Sequence, residues 1–202
     1  MEAKEREFKK VDYQECSQKY DESVKETLRN SPEDVDLEKM RAYLYGYTFT
    51  EKYAQCEIPD ELCMDYWEEQ YVASLCDDDI DDDPEVDDVD FVIDDDEWEE
   101  PNYEGLDKYD VSTPQERLIL EAIDSTGDGN TPETALSVID VGQEYEYLAR
   151  VFPYDVLRVS RQSVMDGIDC LTFEENPFEI ECIYFDITRR FEVGYGRVEN
   201  PT

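Results

Sequence analysis

The 202-residue chain carries 56 Asp and Glu residues against 18 Lys and Arg residues and has no histidine, so its formal net charge is −38. A protein that binds duplex nucleic acid needs a basic surface, so this composition argues against direct binding to nucleic acid or to an anionic membrane. The missing histidine excludes Ser-His-Asp and Cys-His catalysis and His-ligated zinc. We expect a protein that is not an enzyme, has no cofactor and binds cationic partners.

Residues 1–76 form a helical N-terminal part in this interpretation. Apolar residues recur every three to five positions over residues 8–28, which favours one amphipathic helix that ends at Asn30-Ser31-Pro32. Asp36 is the expected N-cap of a second helix, which Gly46 ends. A third helix is predicted after Pro59-Asp60, with a broad apolar face made of Leu62, Cys63, Tyr66, Trp67, Tyr71 and Leu75.

Residues 77–110 form an acidic middle segment that holds 19 of the acids and one base. Runs of like charge repel and usually stay extended, so a solvated linker is one interpretation. Apolar residues interrupt the run, however, and alternation of acidic and hydrophobic residues is typical of segments that dock on a partner. A short strand is predicted at Val89 to Ile93.

Residues 111–202 predict a small antiparallel sheet with helices packed on one face, so the whole chain belongs to the α+β class. The sequence Thr113-Pro114-Gln115-Glu116 has the pattern of a capping box with proline at the first helical position. Gly127 and Gly129 are expected to end this helix, both with positive φ. Strands are predicted at 135–141, 156–165, 170–174 and 179–187, and a further helix at 143–151.

The six cysteines include no CxxC pair and show no zinc-ligand spacing. Met1 to Lys10 has no apolar stretch of an export signal, and no run approaches the roughly 18 apolar residues of a membrane span. We therefore expect a cytoplasmic protein without a membrane partner, whose thiols are reduced, buried and structural.

The segment from Asp124 to Ala135, which reads DSTGDGNTPETA, carries a family resemblance together with the residues after it. It resembles a bacterial family of unknown function whose members carry SGDGxTPETA followed by VIxVxxEY. The similarity covers about residues 118–187, with a weaker match over 37–49. It includes Val138-Ile139, Val141, Glu144-Tyr145, Leu148, Gln162-Ser163, Asp169-Cys170-Leu171 and Ile183 to Asp186. The resemblance implies the fold and a bacterial or phage origin, but no catalytic residue.

The same glycine-rich loop also has part of a calcium-binding pattern. Asp124, Thr126, Asp128 and Gly129 match four of the first six positions of an EF-hand loop, but Ala135 stands where a bidentate Glu is needed. We therefore expect no specific metal site. A calcium-binding acidic module is kept as one alternative function, and a generic bacterial interaction domain with an acidic solubilising loop as another.

The acidic block favours a non-catalytic inhibitor that captures a basic nucleic-acid-acting protein or a toxin by charge mimicry. Rows of carboxylates can occupy a groove built for phosphates, and complementary fields of this strength speed association. Two biological versions are open: an immunity protein that binds a cationic toxin, and a phage or plasmid protein that imitates DNA to block a host defence enzyme.

The expected partner-binding residues combine carboxylates with two aromatic anchors, Phe91 and Trp98, because aromatic residues often dominate the centre of an interface. The whole predicted set is Asp77, Asp78, Asp79, Asp81, Asp82, Asp83, Asp87, Asp88, Asp90, Phe91, Asp94, Asp95, Asp96, Glu97, Trp98, Glu99 and Glu100.

Overall fold

The computed structural model describes residues 8–76, 109, 111–152 and 157–194. The helices in these ranges are α1 (Tyr13–Lys19), α2 (Val24–Asn30), α3 (Leu37–Gly46), α4 (Glu51–Ala54), α5 (Met64–Cys76), α6 (Pro114–Asp124), α7 (Val141–Val151) and α8 (Thr188–Val193). The strands are β1 (Leu136–Ser137), β2 (Val159–Met165), β3 (Ile168–Phe173) and β4 (Cys182–Asp186). The predicted α+β class is confirmed. None of the described helices is long and apolar enough to cross a membrane.

The four strands form one sheet in the order β1-β4-β3-β2. Strands β2, β3 and β4 are antiparallel neighbours, but β1 runs parallel to β4. The prediction of a purely antiparallel sheet is therefore wrong at this edge. The strand predicted at 135–141 was also too long, because the Asp140 side chain accepts a hydrogen bond from Gln143 N and caps α7 just after β1 ends.

The N-terminal apolar stripe forms two short helices instead of one. Asp12 caps α1, and the Asp21 side chain accepts a hydrogen bond from Ser23 N in the turn between α1 and α2. α3 ends at Gly46 as predicted, but Gly46 has a helical φ of −66° and the chain continues directly into a 3₁₀ turn. Glycine is needed there because a Cβ would lie 2.6 Å from the carbonyl oxygen of Cys16 on the neighbouring helix α1.

One hydrophobic core joins the N-terminal helices to the C-terminal sheet. Helix α3 packs against both α1 and α6, and its Tyr45 is fully buried. The Tyr45 hydroxyl donates to the carbonyl of Ser137 at 2.9 Å, and the Tyr53 hydroxyl donates to the carbonyl of Ile139 at 2.5 Å. Buried hydroxyls that find such partners avoid a desolvation cost of about 1–3 kcal/mol each.

The apolar face predicted for the third helix is correct only in its first half. Leu62 and Trp67 are buried, but Tyr71 and Leu75 are 42% and 60% exposed. The expectation that the thiols are buried is also mostly wrong. Among the described side chains Cys16 is buried and Cys56 is exposed; three others are half-buried, namely Cys63, Cys170 and Cys182.

Candidate functional site

The predicted contact region, Asp77 to Glu100, and the strand predicted at Val89 to Ile93 lie outside the described residues. The structure describes the residues on either side of it. On the N-terminal side, the last turns of α5 expose Tyr71, Val72 and Leu75. On the C-terminal side, Tyr109 is buried and its hydroxyl donates to Asp124 at the end of α6.

Several arginine side chains of the described part contact other groups of the protein, and three of them, Arg41, Arg150 and Arg190, are buried. Arg150 is the clearest case, because its buried guanidinium contacts acids from two helices, α5 and α6. Similar internal contacts join Arg29 to Glu61, Arg41 to Ser125 and the Lys9 carbonyl, Arg189 to the Thr48 carbonyl, and Arg190 to the Tyr53 carbonyl. Four acids of the described part are buried as well, namely Glu61, Glu116, Glu144 and Asp169, so the fold withdraws acids and bases from the surface in similar numbers.

One exposed cluster of carboxylates belongs to the loop between β3 and β4. Glu174, Glu175, Glu179 and Glu181 line an open groove of about 630 Å³. Glu179 has a positive φ of 55°, and the turn is held by Asn176, whose Nδ2 donates to the Ile180 carbonyl. Negative charge is therefore also concentrated on the folded part of the chain.

The glycine-rich loop uses its carboxylates to hold the end of α6. The two carboxylate oxygens of Asp124 accept the hydroxyls of Tyr147 at 2.6 Å and Tyr109 at 2.5 Å. Asp128 accepts hydrogen bonds from the Thr134 hydroxyl and from Asn130 N. Burial alone would raise the pKa of Asp128, but these hydrogen bonds outweigh it and hold the pKa below its usual value.

The two glycines of this loop have different roles. Gly129 has the expected positive φ, at 70°. The prediction of a positive φ at Gly127 is wrong, since Gly127 does not belong to the described residues with that conformation. A side chain is instead excluded there by the backbone, because a Cβ would overlap the carbonyl oxygen of Thr134.

A mixed group of thiol and carboxylates lies where the start of α5 faces α7. The Cys63 sulfur and carboxylate oxygens of Asp65 and Glu146 lie within 4.8 Å of one another. The Cys63 thiol donates to Glu146 at 3.0 Å, and Asp65 pairs with Arg150 at 2.9 Å. Burial and then the contact with Glu146 raise the pKa of Cys63 to about 12, so a metal ion would have to displace this proton to use the sulfur.

A second group of acids is fully buried between α7 and the sheet. Glu144 in α7 and Asp169 in β3 both have 0% exposure. One oxygen of Asp169 accepts the Gln162 side-chain amide at 2.5 Å, and the amide oxygen of Gln162 accepts the exposed Tyr145 hydroxyl at 3.2 Å. Both carboxylate oxygens of Glu144 and Oδ1 of Asp169 have no hydrogen-bond donor among the described residues.

Sequence reasoning did not single out Glu144 and Asp169 as a pair. A signal was present, because the alternation of β3 places Asp169 on the same face as the buried Leu171 and Phe173. Glu144 occupies the buried stripe of α7 together with Tyr147 and Leu148. An acid at a position that the periodicity assigns to the core is the pattern that could have identified them.

The chain was compared with protein-family models, curated proteins and solved structures. A family model described as a domain of unknown function, DUF4919, matches residues 8–194. No curated protein and no solved structure matches the chain. The matched range includes the helical N-terminal part, the acidic segment and the sheet, and it agrees with the resemblance to a family of unknown function. The chain therefore belongs to the DUF4919 family.

Proposed function

We propose that this chain is a non-catalytic acidic binding protein that captures and inhibits a basic protein acting on nucleic acid, or a basic toxin. The observation that carries the proposal is the net charge of −38. Charge of this size produces potentials of several kT near the surface and accelerates encounters with cationic partners.

The inward arginines support this proposal. Arg150 has only 8% of its side chain exposed and contacts three acids, and Arg190 is buried against Tyr53. An evenly mixed surface would place such guanidinium groups in solvent beside the carboxylates. Here the buried Arg41, Arg150 and Arg190 contribute contacts to the fold, and a partner meets a surface on which acids outnumber bases.

The acidic segment supplies the contact in this proposal. Its carboxylates take the place of phosphates in the partner's basic groove, and Phe91 and Trp98 supply the apolar anchors that give affinity beyond charge. A DNA-imitating inhibitor and an immunity protein share this chemistry. They differ in whether the partner is a DNA-binding enzyme or a toxin.

Capture experiments with two charge-matched variants test the proposal. The first variant changes Asp94→Asn, Asp95→Asn, Asp96→Asn and Glu97→Gln in the acidic segment. The control makes four exposed substitutions in the β3–β4 loop, Glu174→Gln, Glu175→Gln, Glu179→Gln and Glu181→Gln. Wild type and both variants are immobilised, exposed to bacterial lysate at low salt and at about 0.5 M salt, and the affinity for the recovered protein is measured.

We expect a basic nucleic-acid-acting protein or toxin to be recovered at low salt and largely lost at high salt. The segment variant should bind it roughly tenfold more weakly, whereas the loop variant should change the affinity by about twofold or less. Equal weakening by both variants would mean that net charge alone is responsible. Recovery of no basic partner at either salt concentration contradicts the proposal.

A further inference from the structure

Glu144 and Asp169 are two buried carboxyl groups whose repulsion, if both were ionised, would be relieved by one bound proton. Both residues are fully buried, and neither forms an ion pair with a base of the described residues. Two adjacent buried charges of the same sign are strongly unfavourable, because burial and mutual repulsion act in the same direction. A single proton between the two carboxyls removes one charge and supplies a donor for the unpaired oxygens.

The groups around the pair strengthen this argument. Asp140, which caps α7, adds a further negative charge beside Glu144. The titratable Tyr145 faces the pair from α7, while β2 contributes the neutral Gln162, which donates to Oδ2 of Asp169. With one oxygen of Asp169 already satisfied, Oδ1 is the acceptor left for a protonated Glu144.

We propose that Glu144 and Asp169 share one proton at neutral pH, and that this shared proton is a pH-sensitive clasp holding helix α7 on strand β3. Glu144 donates its proton to Oδ1 of Asp169, while Oδ2 of Asp169 accepts the side-chain amide of Gln162. Loss of the proton leaves two adjacent charges in the interior and opens the contact between helix and sheet.

The direction of the pH dependence follows from the folded and unfolded states. Burial, and then the charge of Asp169, raise the pKa of Glu144 from 4.5 to about 9. The folded chain therefore keeps this proton between those two values, while the unfolded chain has already lost it. Because the folded state binds more protons, the stability of this contact falls as the pH rises from 4.5 to about 9.

The variant Glu144→Gln tests the clasp, since the glutamine amide can donate to Asp169 in the same place but cannot ionise. Thermal unfolding is followed by circular dichroism between about pH 5 and pH 9 for wild type, this variant and the exposed control Glu133→Gln. We expect Glu144→Gln to melt close to wild type at the acidic end and above it at the alkaline end. The control should follow wild type throughout.

Infrared spectroscopy of the wild-type chain provides a measurement that does not depend on the folding of a variant. We expect the carbonyl band of a protonated carboxyl at neutral pH, lost with a midpoint near 9. In Asp169→Asn the band should be lost at a lower pH than in wild type, because burial still raises the pKa of Glu144 but the charge of Asp169 no longer adds to it. A neutral-pH spectrum of the wild type without this band would overturn the proposal. So would a constant melting difference between Glu144→Gln and wild type across the pH range.

Discussion

At the scale of single residues, backbone crowding excludes every side chain at the position of Gly127. The turn from α6 to β1 brings the carbonyl of Thr134 against its Cα and places the Ala135 carbonyl 2.6 Å from where a Cβ would stand. Asp128 N and Gly129 N both donate to that same Thr134 carbonyl, so the contact cannot relax without losing hydrogen bonds. The position is therefore intolerant of any side chain, whatever its φ.

We predict that Gly127→Ala lowers the free energy of unfolding by about 2 kcal/mol or more, because the added methyl group must displace backbone. Urea unfolding followed by circular dichroism measures the loss. Gly142→Ala is the control, since the nearest atom to its Cβ would be the Asp140 carboxylate oxygen at 3.3 Å. Similar stabilities for the two variants would show that the turn is not as crowded as described.

At the scale of elements, Arg150 connects three helices. From α7 its guanidinium contacts Glu116 in α6 at 3.3 Å and Asp65 and Glu68 in α5 at 2.9 and 2.7 Å. Glu116 is itself buried and belongs to the capping box of Thr113. Its carboxylate thus satisfies the start of α6 through one oxygen and Arg150 through the other.

We predict that Arg150→Met destabilises the chain by about 3 kcal/mol, because Glu116 is left buried without its countercharge. The exposed Arg158→Met is the matched control and should change the stability by about 0.5 kcal/mol or less. The free energies come from urea titrations of each variant. A comparable loss in both would assign the effect to net charge rather than to the buried cluster.

Local signals account for the elements that the sequence predicts well. Asp36 caps α3 by accepting from Lys39 N, and Thr113 and Glu116 form the expected capping box at the start of α6. Strand β1 could not be predicted in the same way. Its length is set by the cap of α7, and its parallel pairing is set by β4, which arrives about 46 residues later in the chain.

At the scale of the whole molecule, the negative charge is distributed unevenly, because residues 77–110 hold 19 of the 56 acids. The N-terminal helices and the sheet share one hydrophobic core. Buried arginines make polar contacts beside it, with Arg150 pairing with Glu116 and Arg190 donating to the Tyr53 carbonyl. Composition alone predicted an acidic surface and a cationic partner. It could not show that Glu144 and Asp169 meet in the interior, because they belong to a helix and a strand whose packing is a tertiary property.

Competition between this chain and duplex DNA for the basic partner recovered in the capture experiment tests the proposed charge mimicry most directly. Binding constants for both ligands are measured at low salt and at about 0.5 M salt. We predict that the chain displaces DNA, that Asp94→Asn, Asp95→Asn, Asp96→Asn and Glu97→Gln together weaken displacement, and that affinity falls steeply with salt. A partner that binds the chain and DNA at the same time, with an affinity independent of salt, would contradict the proposed charge mimicry.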